Sequence, residues 1–211
     1  MTTFGKKLQM EFYTVDALSL AVALLGKVLV TKHDGEVTAG IIADTEAYMG
    51  ESDRACHAFD GHRSAKNESM YLPGGHAYVY MIYGMYYCMN VTANAENIPE
   101  AVLIRGILPF FGLDTMISRR ASRASGASAH ILSHIADGPG KLCRAMAIDR
   151  SADSLRLDGD LMYICDTGLA PTDDVVASKR LNIDYAGEDA LRPWRFTLSH
   201  DDPLRRYAAA L

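Results

Sequence analysis

The run His76-Ala77-Tyr78-Val79-Tyr80-Met81-Ile82-Tyr83-Gly84-Met85-Tyr86-Tyr87-Cys88-Met89-Asn90 reads as strand, turn, strand. Side chains at alternate positions of a strand share a face, so Tyr78, Tyr80 and Ile82 fall on one side and Val79 and Met81 on the other. Tyr83-Gly84 breaks that alternation. The strand opens after the turn signal Leu72-Pro73-Gly74-Gly75, the second strand runs Tyr86 to Ala93, and a third is predicted over Ala101 to Leu108, beyond the polar turn Asn94 to Pro99. Successive hairpins of this kind build an antiparallel sheet. Six of the eleven tyrosines lie between Tyr71 and Tyr87. A tyrosine ring is a flat, electron-rich face with a polar handle, so such a cluster either fills a sheet core or stacks against a planar ligand.

Upstream, Lys27 to Thr31 and Val37 to Thr45 are β-branched segments around His33-Asp34-Gly35, a further hairpin, which leaves Glu46 at a strand end inside Thr45-Glu46-Ala47-Tyr48. Leu18, Val22 and Leu25 recur at helical spacing within Val15 to Leu25, and Gly26 stops that helix. Glu51 to Asn67 is polar and predicts a loop carrying His57, with a short helix around Ala55 to Phe59. Downstream, Leu113 to Arg123 reads as a helix with a basic side, and the Ala/Ser-rich Ala121 to Ala129 as a mobile loop. Asp137 to Met146 is a turn feeding a helix whose first amides are free to hold an anion. Leu161 to Cys165 and Arg195 to Leu198 complete the predicted strands. The chain is expected to form one α+β domain over 1–211.

With 211 residues, 49% hydrophobic and 22% charged, the composition is that of an ordinary globular protein. Cys56, Cys88, Cys143 and Cys165 show no paired C-x-x-C spacing and are expected to be reduced thiols. The apolar run Ala17 to Val30 is too short for a membrane span, and Met1 to Lys7 has no signal-peptide layout, so a cytosolic protein is expected. A formal net charge of −5 is the wrong sign for a surface that grips nucleic acid throughout. Phosphate contacts would be local, from clusters such as Arg63 and Lys66, Arg119, Arg120 and Arg123, Lys141 and Arg144, or Arg192, Arg195, Arg205 and Arg206.

Phosphate-loop, dinucleotide-fold, serine-elbow, zincin and zinc-deaminase motifs are all missing, and neither a metal nor a cofactor is expected. One carboxylate, Glu46, remains beside aromatic residues. Hydrolysis of an N-glycosidic bond uses that pair: the sugar gains positive charge as its base leaves, and a carboxylate stabilises that charge and takes a proton from water. A cationic alkylated base would also be attracted to tyrosine faces, by about 0.5–2 kcal/mol per contact.

Thr45-Glu46-Ala47-Tyr48-Met49-Gly50, the downstream His57, Tyr78 to Asn90 and Val102-Leu103-Ile104-Arg105 together resemble the alkyladenine (3-methylpurine) DNA glycosylase family. Gly138-Pro139-Gly140-Lys141-Leu142-Cys143 and Ala186-Gly187-Glu188 leading to Arg192-Pro193-Trp194-Arg195-Phe196 extend the resemblance from Phe12 to about Leu198. It implies a curved, mainly antiparallel sheet flanked by helices, with a protruding β-hairpin that inserts into DNA. It also implies a monofunctional, likewise monomeric enzyme that flips alkylated or deaminated purines out of duplex DNA, in a bacterial-type cytosol or a nucleus. By matching position, Glu46 resembles the general base and Arg105 the residue that positions it and the water. Tyr48, His57 and Tyr80 resemble the residues around the flipped base, Asn90 the one that crowds a guanine amino group, and Tyr83 the intercalating plug. Gly138, Lys141 and Arg120 would lie near backbone phosphates. Tyr78, Tyr86 and Tyr87 are assigned to core packing, and Cys56 to no chemistry.

Without the resemblance, Glu46 reads as a surface carboxylate, His57 as a loop histidine and the tyrosines as sheet core. A damage-binding module without turnover and a hydrolase of free nucleosides are the rivals. The first has no chemical use for Glu46 with Arg105, and the second none for Tyr83.

Overall fold

A computed structural model describes residues 4–121, 134–168, 175–204 and 208. A short strand β1 (Lys6–Lys7) precedes helix α1 (Ala17–Ala23), whose first turn is capped by the Asp16 carboxylate accepting from the Ser19 amide. Strands β2 (Val28–His33) and β3 (Glu36–Tyr48) follow, joined at Asp34-Gly35. Both turn residues have positive φ, 51° and 80°, the backbone that matches the twist of an antiparallel pair. Strands β4 (Ala77–Ile82), β5 (Tyr86–Ala93) and β6 (Glu100–Phe111) form a second meander. Helices α2 (Leu113–Arg120) and α3 (Pro139–Ala145) come next, and then β7 (Met162–Asp166), β8 (Val175–Ser178) and β9 (Arg195–Leu198).

The strands join one nine-stranded sheet in the order β1-β7-β2-β3-β6-β5-β4, with β9 bridging β3 and β8. Their pairings are all antiparallel. β3 is the axis of the sheet. Its first half pairs with β2, while Asp44, Thr45 and Glu46 pair with Thr197, Phe196 and Arg195 of β9. Along its other edge it follows β6 to Tyr48, with register irregularities on both sides of Asp44. Such bulges bend a strand and re-aim its side chains, here directly before Glu46. α1 packs on β3 and β6, and α3 on β5 and β6. Leu20, Ile41, Met89, Ile104 and Leu142 are without measurable exposure between these layers.

The α+β architecture and mainly antiparallel sheet are those expected, and the elements differ from prediction at their edges. No α-helix forms around Ala55 to Phe59; 3-10 turns stand at Gly50–Ser52 and Phe59–Gly61 because the segment lacks an apolar helical stripe. The predicted loop Ala121 to Ala129 lies, from residue 122 on, outside the described residues, as do Arg123, Arg205 and Arg206. Tyr78 is buried and Tyr87 packs against the core, whereas Tyr86 is 46% exposed and lies against Gly140, so it is not a core residue. The four cysteines are free and buried. No helix among the described residues is long and apolar enough to cross a membrane.

Candidate active site

Asp44, Glu46 and Tyr48 recur at the strand period of β3, and all three enter one polar cluster. Glu46 has no exposed surface. Its Oε2 accepts from the Tyr48 hydroxyl at 2.9 Å and its Oε1 from the Leu181 amide at 2.8 Å. Arg105 Nη1 lies 3.3 Å from the same Oε1. Asp44 holds the arginines around it: Arg195 donates to both its oxygens, at 3.0 and 2.8 Å, and Arg105 Nε stands 3.7 Å from Oδ2. A carboxylate offers about four acceptor directions; hydrogen bonds from Tyr48 and Leu181 fill two of them, and Arg105 stands beside Oε1 as an ion pair.

Tyr48, Arg105 and Leu181, which hold Glu46, also line a cavity of about 330 Å³. That lies at the lower end of the range for small-ligand sites, roughly 300–1,000 Å³. His57, Tyr80, Tyr83 and Asn90 line the same space. His57 and Tyr80 meet edge to face, centroids 4.6 Å apart at 73°, while Tyr78 and Tyr80 lie 5.3 Å apart at 33°. His57 Nδ1 and the Tyr78 hydroxyl share a hydrogen bond of 2.6 Å. The three rings therefore form a corner, and Tyr48 supplies a separate wall. Asn90 donates its amide to the Tyr78 carbonyl at 3.1 Å, so it braces the β4–β5 ladder while facing the cavity.

Electrostatics follow from enclosure. Burial, and then the adjacent Glu46 charge, push the Tyr48 phenol well above its ordinary pKa, and burial does the same to Tyr80. Both rings stay neutral hydroxyl donors. Desolvation by the surrounding protein, followed by the neighbouring His62, lowers the His57 imidazole below its ordinary value. Burial pushes the Cys88 thiol, also at the cavity wall, up to about 11.

The cavity opens beside the β4–β5 turn. Tyr83 and Gly84 have φ of 52° and 65°, and a Cβ on Gly84 would meet nothing within 4 Å, so the tip stands clear of the body. Tyr83 is 80% exposed and Met85 65%. Leaving large apolar side chains in water is unfavourable, and a contiguous group of them marks a contact surface. Across the mouth, Tyr185 is 72% exposed and donates to the Ala55 carbonyl at 3.4 Å.

Gly138, Lys141 and Arg120 do not line the cavity. Gly138 caps α3, whose Pro139 reaches the cavity wall. Lys141 donates to Asp137 Oδ1 at 2.8 Å, and Asp137 also takes His134, so the lysine charge is partly neutralised. Arg120 ends α2 with its Nε buried and without a hydrogen-bond partner among the described residues.

Sequence reasoning missed Asp44, Asp53, Arg180, Leu181 and Tyr185. Asp44 carried a usable signal, because it precedes Glu46 by one strand period. Arg180 and Leu181 carried none, since their partners are remote in the chain.

A family model described as methylpurine-DNA glycosylase matches residues 11–202. A protein of Clostridium acetobutylicum, provisionally named a 3-methyladenine DNA glycosylase, is 46% identical over 191 residues, covering 90% of this chain and 93% of its own. Relatives with the same provisional name from Clostridioides difficile and Chlamydia pneumoniae are 41% and 44% identical, covering 90% of this chain in each case and 98% and 94% of their own.

Proposed function

Since the chain belongs to the methylpurine-DNA glycosylase family and is thus a DNA glycosylase acting in DNA repair, we propose that it excises alkylated or deaminated purines with a water activated by Glu46. The substrate class is 3-methyladenine, 7-methylguanine, hypoxanthine and ethenoadenine in duplex DNA, and the protein works as a monomer. The observation that carries this reading is a buried carboxylate with acceptor capacity beyond its two hydrogen bonds, held by three residues of an aromatic cavity wall.

The damaged nucleotide swings out of the helix, and its base enters between Tyr48 and the corner made by His57 and Tyr80. Extrusion costs a few kcal/mol, and stacking returns about 1–3 kcal/mol per base, so two ring contacts with a plug at the vacated site offset it. Tyr83, at the exposed hairpin tip, is that plug. Asn90 sets the shape of the pocket floor against a guanine amino group. As the N-glycosidic bond breaks, its electron pair leaves with the base and positive charge grows on the sugar. The water oxygen then bonds to the anomeric carbon, and its proton passes to Glu46. The products are a free base and an abasic site, with no covalent enzyme intermediate. Arg105 keeps the Glu46 carboxylate turned toward that water, and Gly138, Lys141 and Arg120 lie along the path of the phosphates.

Single-turnover release of 3-methyladenine or hypoxanthine from duplex DNA tests the reading. Glu46→Gln is expected to lose at least about 100-fold in rate, the lower bound for general-base catalysis. A variant that kept most of the rate, or a borohydride-trapped adduct, would refute it.

A further inference from the structure

Beside the cavity lies a fully enclosed ion pair that the proposed reaction does not use. Arg180 and Asp53 form an ion pair in which neither side chain has exposed surface. Arg180 Nη1 donates to Asp53 Oδ2 at 2.5 Å and to the Ala47 carbonyl at 2.9 Å. Nη2 donates to Asp53 Oδ1 at 2.8 Å and to the Asp189 carbonyl at 3.2 Å. The guanidinium also lies 4.8 Å from the Tyr48 ring centroid and 5.0 Å from that of Trp194.

The contacts to Ala47, Tyr48 and Trp194 end on residues that border Glu46. Ala47, the next residue, has its carbonyl taken by Arg180 and its amide by the Trp194 carbonyl at 2.9 Å. Tyr48, backed by the guanidinium, donates its hydroxyl to Oε2 of Glu46. Leu181, the residue after Arg180, donates its amide to Oε1. Two of the donors on the carboxylate therefore hang from one planar cation.

Stability alone does not call for this arrangement. Replacing a buried ion pair by apolar side chains of similar volume is often neutral or stabilising, so the fold could fill the space without charge. What apolar filling could not supply is a rigid fork with a flat face, which grips a carboxylate and stacks on a ring at once. Resting on the reaction proposed above, we infer that Arg180 is a positioning residue: through Tyr48 and the Leu181 amide it fixes the orientation of Glu46.

Two variants test this, Arg180→Lys, which keeps the charge and loses the plane, and Asp53→Asn/Arg180→Met, which removes both charges and keeps an acceptor at 53. Hypoxanthine release from duplex DNA is followed under single turnover at saturating enzyme. The amplitude reports the fraction of competent protein, and the rate constant reports the chemistry. Misplacing a reacting group by about 1 Å costs up to about 100-fold, so the rate constant should fall about 10- to 100-fold in both variants. The enzyme concentration giving half the maximal rate should stay within about 3-fold, because duplex binding is untouched. A structural role would lower the amplitude or the melting temperature and leave the rate constant near that of the wild type, and that result would overturn the inference. If Arg180→Lys fails to fold, the double variant decides alone. Should Glu46→Gln be inactive while the Arg180 variants run at the wild-type rate, the positioning role falls and the reaction stands; a wild type that releases no base removes both.

Discussion

Truncating Tyr83 to alanine separates the hairpin's contribution to the fold from its contribution to DNA. The ring is 80% exposed at the tip of the β4–β5 turn, so its loss should change folding stability by less than about 0.5 kcal/mol. Alanine tolerates the φ of 52° no worse than tyrosine does, and the turn keeps its Met85 amide to Ile82 carbonyl bond of 3.2 Å. The whole cost then appears in the DNA complex. A ring stacked in place of an extruded base is worth about 1–3 kcal/mol, which corresponds to about 5- to 150-fold in the extrusion equilibrium. Excision from duplex DNA should fall by that factor under single turnover. The same lesion in a flexible single strand has no gap to fill, and its rate should change by less than about 2-fold. Tyr83→Phe should behave as the wild type, since the ring and not the hydroxyl fills the gap. Equal losses on both substrates, or no loss on duplex, would refute the plug.

Other outcomes follow from the packing and the enclosed groups. Gly74→Ala would place a Cβ 2.3 Å from the Tyr13 carbonyl oxygen, so urea unfolding should show a loss of about 2–3 kcal/mol; an unchanged midpoint would mean the Gly74 turn can move away from Tyr13 without cost. The His57 imidazole should titrate by NMR below the ordinary 6.5. Because its folded value is depressed, the associated stability is complete above pH 6.5 and is lost as pH falls toward the folded value. The exposed edge of the ring keeps that loss well under about 1.4 kcal/mol per pH unit, and a midpoint at or above 6.5 would contradict the assignment. Burial raises Cys56 to about 12 and Cys88 and Cys165 to about 11, so a thiol reagent at pH 8 should label native protein slowly and all four cysteines after denaturation; rapid native labelling would oppose the burial.

Local chemistry made much of the architecture readable. Asp34-Gly35 announces a turn because Asp and Gly tolerate positive φ in succession, and Gly84 and Gly26 mark the breaks after β4 and α1 in the same way. Alternation put Tyr78, Tyr80 and Ile82 on one face, which lines the cavity, and Val79 and Met81 on the other, where Val79 is core and Met81 is exposed. Pairing between distant segments was not readable. Nothing around Val175–Ser178 or Arg195–Leu198 states that the second will lie along β3 at Glu46, because a four-residue strand carries too little pattern to name its neighbour. The acid itself stood out by its setting. The groups that orient it come from elsewhere in the chain: Arg195 is 151 residues from Asp44, and Arg180 is 127 from Asp53.

Glu46 sits where β3 is hydrogen-bonded along both edges, to β6 and to β9. A backbone tied on two sides opens only when the sheet around it opens, and its amide should exchange among the slowest in the protein. The acid thus cannot travel to meet its target, and the large displacement in the reaction falls on the nucleotide. How often a lesion is caught should therefore depend on how readily its neighbouring base pairs breathe. Identical damage in a soft A·T-rich tract should be engaged sooner than in a stiff G·C-rich one, with the pocket unchanged.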